Sequence, residues 1–148
     1  MSDEAEGRML GLLHVAMVFV QGDLERDLPD APQLHVHVVE DEWRSGYPFV
    51  ARIADDGEKW WGGDEPLYAQ DADGALVAVA GAVQDLLAAV YRQVWPLCPT
   101  HAHGVHVRPA PGEHHGETLY GQPWIGPVAW WCRGDGGHML AEIGRLGL

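Results

Sequence analysis

The fold is decided by residues 71–96, which read DADGALVAVAGAVQDLLAAVYRQVWP. Apolar residues recur there at helical spacing, which predicts a helix over residues 74–95 with one apolar stripe for the core. Asp71 or Asp73 can cap its start, because an aspartate side chain accepts hydrogen bonds from the first free N–H groups. Pro96 ends it, because proline donates no N–H and restricts the residue before it. The stripe consists of Leu76, Val79, Ala80, Val83, Leu87, Val90 and Val94.

The residues before this helix predict an antiparallel sheet between residues 9 and 61. Met9–Val20 is an apolar run for which periodicity alone does not separate strand from helix. We expect a strand at Val15–Gln21, because valine and phenylalanine are good strand formers. Residues 1–8 are expected to form a frayed polar tail. The other expected strands are Gln33–Glu40, Pro48–Ala54 and Glu58–Trp61.

The amino-acid composition changes after Pro96, where glycine, proline, histidine and tryptophan become frequent. Short strands are expected at Val105–Arg108 and Val128–Cys132, and Met139–Leu146 predicts a final strand or a short helix. The chain therefore predicts an α+β fold with an antiparallel N-terminal sheet, one long helix and a small zinc-stapled C-terminal hairpin module. We place the boundary between an α+β domain at 1–96 and the zinc module at 97–148.

The main candidate site combines Cys98-Pro99-Thr100-His101 with Cys132 and His138, as a Cys-x2-His and a Cys-x5-His pair. Structural zinc prefers four sulfur and nitrogen ligands, usually from two short knuckles. A small module without a large core of its own gains stability from such a cross-link. The metal ligands predicted here are Cys98, His101, Cys132 and His138.

Alternatives to this ligand set stay open at the level of sequence. His103 and His106 compete with His138 as the fourth ligand, and Asp135 is a more remote choice. Without a metal, the two cysteines would be buried thiols. A disulfide between them is disfavoured by a reducing cytoplasm.

Other catalytic patterns are incomplete. His35-Val36-His37 on the predicted strand, followed by Glu40 or Glu42, is similar to the metal motif of cupin barrels, but no second cupin motif follows. Residues 114–117 contain the His-x-Glu spacing of zinc deaminases without the Pro-Cys-x-x-Cys that those enzymes need downstream. Ser2 and Ser45 are the only serines, and neither lies in a nucleophile elbow.

The charge is concentrated in one half of the chain. The whole chain of 148 residues carries a formal charge of −13. Residues 1–75 hold 17 acidic and 5 basic residues, a net of −12, whereas residues 76–148 hold 5 acidic and 4 basic residues, a net of −1. This acidity argues against nucleic acid and against anionic membrane surfaces as partners. It favours a basic protein partner on the N-terminal half.

A resemblance supports the C-terminal cysteines and histidines as a set. The segment from Val83 to Leu146 resembles a group of small uncharacterised actinobacterial proteins, and the resemblance implies no activity. It implies that Cys98, His101 and Cys132 belong together in a metal-knuckle-like hairpin. The residues that carry it are Gln84-Asp85, Trp95-Pro96-Leu97-Cys98-Pro99 with His101 and His103, Trp131-Cys132 and Ile143-Gly144-Arg145-Leu146.

The functional expectation is a bacterial, cytoplasmic, non-enzymatic protein-interaction module, of an adaptor or immunity-like kind, with structural zinc. The tryptophan pairs Trp60-Trp61 and Trp130-Trp131 add to it, because on a strand one ring of each pair faces outward, either under a loop or on a contact surface. The alternative is a small metal-dependent enzyme that uses His35 and His37 or an open Cys/His site. No targeting segment is expected, since the N-terminus is acidic and the apolar run after it is too short to span a bilayer.

Overall fold

The protein is described from a computed structural model, which places residues 2–40, 49–57, 66–110 and 126–148. Two helices and two antiparallel sheets make up this described part, so the α+β class is confirmed. A C-terminal hairpin module with a Cys/His cluster is confirmed as well. The elements are α1 (Asp3–Asp27), β1 (Leu34–Glu40), β2 (Phe49–Asp55), α2 (Ala72–Val90), β3 (His106–Arg108), β4 (Ala129–Cys132) and β5 (His138–Glu142).

Helix α1 corrects the prediction for the N-terminus. The strand expected at Val15–Gln21 and the frayed tail expected at residues 1–8 are both wrong, because one helix runs from Asp3 to Asp27. Ser2 caps it, with its side-chain oxygen accepting a hydrogen bond from the N–H of Ala5 at 3.2 Å. Core packing outweighs strand propensity here, since buried residues recur every three or four positions on one side. These are Met9, Leu13, Ala16, Met17, Val20 and Leu24.

The two strands β1 and β2 pair antiparallel, with Leu34 opposite Asp55 and Glu40 opposite Phe49. This confirms the strands predicted at Gln33–Glu40 and Pro48–Ala54. The first strand expected in the 9–61 sheet is replaced by α1, and the one expected at Glu58–Trp61 lies outside the described residues. The N-terminal sheet therefore has two strands in the part that the structure describes.

Helix α2 confirms the predicted core helix, with a shorter C-terminal end. Asp71 is the cap, and its carboxylate accepts the N–H of Gly74 at 2.7 Å. The helix ends at Val90 rather than residue 95, so Val94 lies beyond it and is 60% exposed. Among the described helices, α2 alone is long and apolar enough to cross a membrane by length and composition. It packs on α1 and β2.

The C-terminal sheet has the order β3-β4-β5, with both pairs antiparallel. The strands predicted at Val105–Arg108 and Val128–Cys132 are confirmed. The last segment forms a strand, β5, which ends at Glu142. One hydrophobic cluster contains residues of both halves, including Leu13, Val83 and Trp130. The boundary at 96/97 stays a prediction.

A buried carboxylate fastens the C-terminal segment to α1. Asp23 is fully buried, and it is the acceptor for four donors. These are Trp130 Nε1 at 2.9 Å, Gly144 N at 2.7 Å, Leu146 N at 2.9 Å and Arg26 Nη2 at 2.6 Å. Arg26 in turn donates to the carbonyl oxygens of Gly144 and Leu146. The end of the chain is thus held to α1 by charge-assisted hydrogen bonds rather than by apolar contact alone.

Candidate metal centre

Four predicted ligands meet at one point of the structure. We call Cys98, His101, Cys132 and His138 the Cys2His2 cluster; their ligand atoms all lie within 4.8 Å of one another. Both cysteines are buried and carry free thiols, and both histidines are half-buried. The group could therefore hold a metal ion. His138 is the fourth member, rather than His103 or His106.

A tight turn presents the first pair. Leu97 and Gly104 form a β-bridge that closes the segment between them. Inside it, the N–H of Cys98 donates to the carbonyl of His103 at 3.0 Å, and the N–H of Ala102 donates to the carbonyl of Cys98 at 2.7 Å. These hydrogen bonds fold the segment so that the Cys98 sulfur and the His101 ring lie on the same side of the turn.

The β4–β5 hairpin presents the second pair. Cys132 and His138 are cross-strand partners, so their side chains share one face of the hairpin. The connection requires glycine at two places. A Cβ at Gly134 would lie 2.6 Å from the His101 ring, and one at Gly137, where φ is +97°, would lie 2.9 Å from Trp131 Nε1. The glycines that the sequence indicates as turn material thus also let His101 and Trp131 approach the hairpin.

Three sulfur–nitrogen distances inside the Cys2His2 cluster match the edges of a tetrahedron. Cys98 Sγ lies 3.5 Å from His101 Nδ1 and 3.5 Å from His138 Nε2, and Cys132 Sγ lies 3.3 Å from His101 Nδ1. Zinc bonds of about 2.3 Å to sulfur and 2.0–2.1 Å to nitrogen place neighbouring ligands about 3.5 Å apart.

Asp135 orients His101. Its Oδ2 lies 2.7 Å from His101 Nε2, and this contact is the main reason that the pKa of His101 is raised and that of Asp135 is lowered. An ionised carboxylate only accepts, so Nε2 carries a proton, which leaves Nδ1 as the ring nitrogen that would coordinate a metal. Asp135 adopts a left-handed backbone with φ 52° and ψ 41°, a conformation that costs energy outside glycine. The aspartate predicted as a remote ligand is therefore a partner of a ligand.

The two thiols differ electrostatically. Burial raises the pKa of Cys98. Hydrogen bonds from the N–H groups of His101 and Thr100 and from the His101 side chain outweigh this effect and lower the pKa to about 6. Burial raises the pKa of Cys132. The N–H of Gly134 donates to the Cys132 sulfur at 3.3 Å. At neutral pH, Cys98 is thus the thiolate of the pair, and thiolate is the form that binds metal.

We expect Asp135→Ala to weaken metal binding 10- to 100-fold, because the ring of His101 loses its fixed orientation and tautomer. Competition against a chromophoric chelator measures this change. Asp135→Gly distinguishes the effect of losing the carboxylate from the effect of backbone strain, because glycine removes the side chain and also relieves the left-handed strain. Equal weakening in both variants assigns the effect to the carboxylate. Wild-type affinity in both variants would contradict the role of Asp135.

The other candidate ligands lie outside the Cys2His2 cluster. His103 stacks on His101 with ring centroids 5.6 Å apart, and His106 lies on β3 opposite Trp131. His35 and His37 share a face of β1, with centroids 6.0 Å apart, and join no group of three potential ligands among the described residues. The Glu40 side chain, Glu42 and residues 114–117 lie outside the described part.

The remaining predicted residues have structural roles where the structure describes them. Trp130 is fully buried, and the ring of Trp131 packs under Arg108, whose guanidinium carbon lies 4.1 Å from the ring centroid. Ser2 caps α1. Trp60-Trp61 and Ser45 lie outside the described residues. The sequence does not predict the role of Asp23, because three of its four hydrogen-bond donors lie more than 100 positions away and no local pattern marks it.

Comparison with protein families, curated proteins and solved structures finds no match to this chain.

Proposed function

We propose that the protein is a non-enzymatic interaction module whose C-terminal half is held together by structural zinc. The main support is that four protein ligand atoms, two sulfurs and two nitrogens, surround one point. Three sulfur–nitrogen distances between them are 3.3–3.5 Å. Zinc is the usual ion of tetrahedral S2N2 sites, and such sites with four protein ligands are structural.

The burial of the cluster supports a closed site. Cys98 is 1% exposed and Cys132 is 0% exposed, so neither sulfur is open to a substrate. With four protein ligands in place, no coordination position is left for a catalytic water. The free thiols also fit the cytoplasm, where reducing conditions preserve them. The relation to the actinobacterial proteins stays a prediction.

Zinc would connect three separate pieces of chain. The turn with Cys98 and His101 follows α2, Cys132 ends β4, and His138 begins β5. The C-terminal sheet is small, with strands of three to five residues. A metal that joins this sheet to the turn therefore supplies stability that so short a set of strands lacks.

The acidic N-terminal half supplies the proposed interaction surface. Both helices begin with exposed acids, Asp3 and Glu4 on α1 and Asp71 and Asp73 at α2, and these also complement the helix dipoles. We propose a basic protein partner on this surface. An arginine-rich peptide should bind with an affinity that falls steeply with salt, and a glutamate-rich peptide of equal length should not bind. Equal binding of both peptides would contradict a charge-matched partner.

Cobalt substitution separates structural zinc from the enzyme alternative. We expect the absorption spectrum of the Co²⁺-loaded protein to show a four-coordinate dithiolate site that added azide leaves unchanged. His138→Ala is the positive control, because it opens a position that azide can then fill. A wild-type spectrum that shifts with azide would overturn the structural assignment and favour a small metal-dependent enzyme.

A further inference from the structure

Helix α1 exposes an apolar face that the rest of the described chain does not cover. From Met9 to Val20 the helix is apolar almost all round, yet only one side packs into the core. On the other side Val15 is 59% exposed, Val18 is 72% exposed and Phe19 is 47% exposed. A helix that is apolar on all sides is normally buried on all sides. A contiguous exposed apolar face of this kind marks a candidate contact surface.

The exposed face carries a heptad seam that is nearly symmetric about its centre. Its residues follow one another at intervals of 3, 4, 3, 4 and 3, which is the spacing of the contact positions in a coiled coil. Read from either end, the seam presents a charge, a glycine and a valine. The two end charges are opposite in sign. The seam consists of Arg8, Gly11, Val15, Val18, Gly22 and Glu25.

The glycines of the seam fit the close approach of another helix. A Cβ at Gly11 would meet no atom within 4 Å, whereas one at Gly22 would lie 3.1 Å from Nη1 of the Arg26 guanidinium, which Asp23, Gly144 and Leu146 hold in place. The single chain thus has no steric need for glycine at position 11. A glycine inside a helix costs about 1 kcal/mol relative to alanine, so the isolated fold favours alanine there. A second helix that crosses α1 at Gly11 would need a residue without a side chain there, because its backbone could then come close.

We propose that α1 of a second copy packs antiparallel on this seam, around a two-fold axis between Val15 and Val18. Val15 then faces Val18 of the partner subunit, and Gly11 faces Gly22 of the partner subunit. Arg8 faces Glu25 of the partner subunit. Because the axis repeats each contact, two valine layers, two glycine layers and two ion pairs form, which is the self-complementarity that a two-fold interface requires.

The available area suits a weak dimer. The seam from Arg8 to Glu25 spans 18 residues, or about 27 Å of helix. An apolar groove of about 360 Å³ borders it, with Leu12 and Phe19 on one wall and Leu76 on the other. One helix face with its bordering groove is a small contact, and interfaces that bury less than about 1,200 Å² in total are typically weak. We therefore expect micromolar dissociation.

The chemistry of the seam favours a second copy over other occupants. A basic partner would gain no net attraction from the opposite charges of Arg8 and Glu25, and nothing from the uncharged centre. Helices that lie on lipid surfaces carry a polar face rich in lysine and arginine opposite the apolar one. The side of α1 opposite the seam is instead buried in the core of its own chain.

Sedimentation velocity of the full chain with its native metal tests the dimer. We expect dimers at about 100 μM that dissociate in the low micromolar range. Val18→Glu should raise the dissociation constant at least about 100-fold, because two carboxylates are buried without partners at the axis. Val38→Glu is the matched control on β1, where Val38 is 42% exposed, and it should leave the dimer intact. Circular dichroism checks that both variants fold.

A charge exchange tests the antiparallel register. Arg8→Glu and Glu25→Arg should each raise the dissociation constant about 10-fold, and the double variant should recover most of the loss. Glu25 also accepts from Gln21 at 3.2 Å and Gln33 at 2.7 Å, so the decisive comparison is between Glu25→Arg and the double variant, which both lack these bonds. A monomeric wild type at about 1 mM, with or without vesicle binding, would overturn the proposal. The proposal would also fail if Val18→Glu dimerised with wild-type affinity. It would fail as well if the double variant had a higher dissociation constant than Glu25→Arg alone.

Discussion

Cys132→Ser is expected to release the metal and to unfold the C-terminal sheet. Cys132 is fully buried, ends β4 and lies 3.3 Å from His101 Nδ1, so its sulfur joins the hairpin to the turn. A serine hydroxyl is a poor zinc ligand, and the loss of metal removes binding energy that is also folding energy. We expect the free energy of unfolding to fall by about 5 kcal/mol, measured by denaturant titration.

His103→Ala is the matched control for this variant. His103 lies next to the cluster and stacks on the His101 ring, but it contributes no atom to the Cys2His2 cluster. We expect it to keep the metal and to change stability by less than about 1 kcal/mol. If His103→Ala loses the metal while Cys132→Ser retains it, the ligand set is wrong.

Asp23→Ala is expected to cost about 4 kcal/mol, because it leaves buried donors without an acceptor. The indole N–H of Trp130 and the backbone N–H groups of Gly144 and Leu146 all point at this carboxylate, and Asp23 itself is 0% exposed. The end of the chain should detach from α1 first. Thermal unfolding gives the loss, and hydrogen exchange of the Gly144 and Leu146 amides locates it.

Asp27→Ala serves as the comparison on the same helix. Asp27 also accepts an indole N–H, from Trp95 at 2.8 Å, but it lies at the exposed end of α1 and accepts no other hydrogen bond from the described residues. Its loss should cost only about 1 kcal/mol. If the two variants are equally stable, the buried carboxylate of Asp23 does not hold the C-terminal segment.

The predictable features of this chain were those carried by short-range patterns. The stripe of α2 and its cap at Asp71 are visible within one turn or a few turns of helix. The ligands of the Cys2His2 cluster follow from two short spacings, and each pair is presented by its own turn or hairpin. The choice of His138 over His103 required the β4–β5 register, which places His138 opposite Cys132.

Helix α1 was predicted wrongly because its local signals conflict. Val18, Phe19 and Val20 favour a strand by propensity, and apolar residues on both sides of the helix hide the helical period. The cap at Ser2, followed by acids in the first turn, was the available sign of a helix. The same two-sided apolar character now motivates the proposed dimer seam.

The most direct test of the metal-stapled module is native mass spectrometry with elemental analysis of protein purified without added metal. We predict one zinc per chain, lost together with the folded C-terminal half on chelation or in Cys98→Ser. A protein that is metal-free yet well folded would contradict the account.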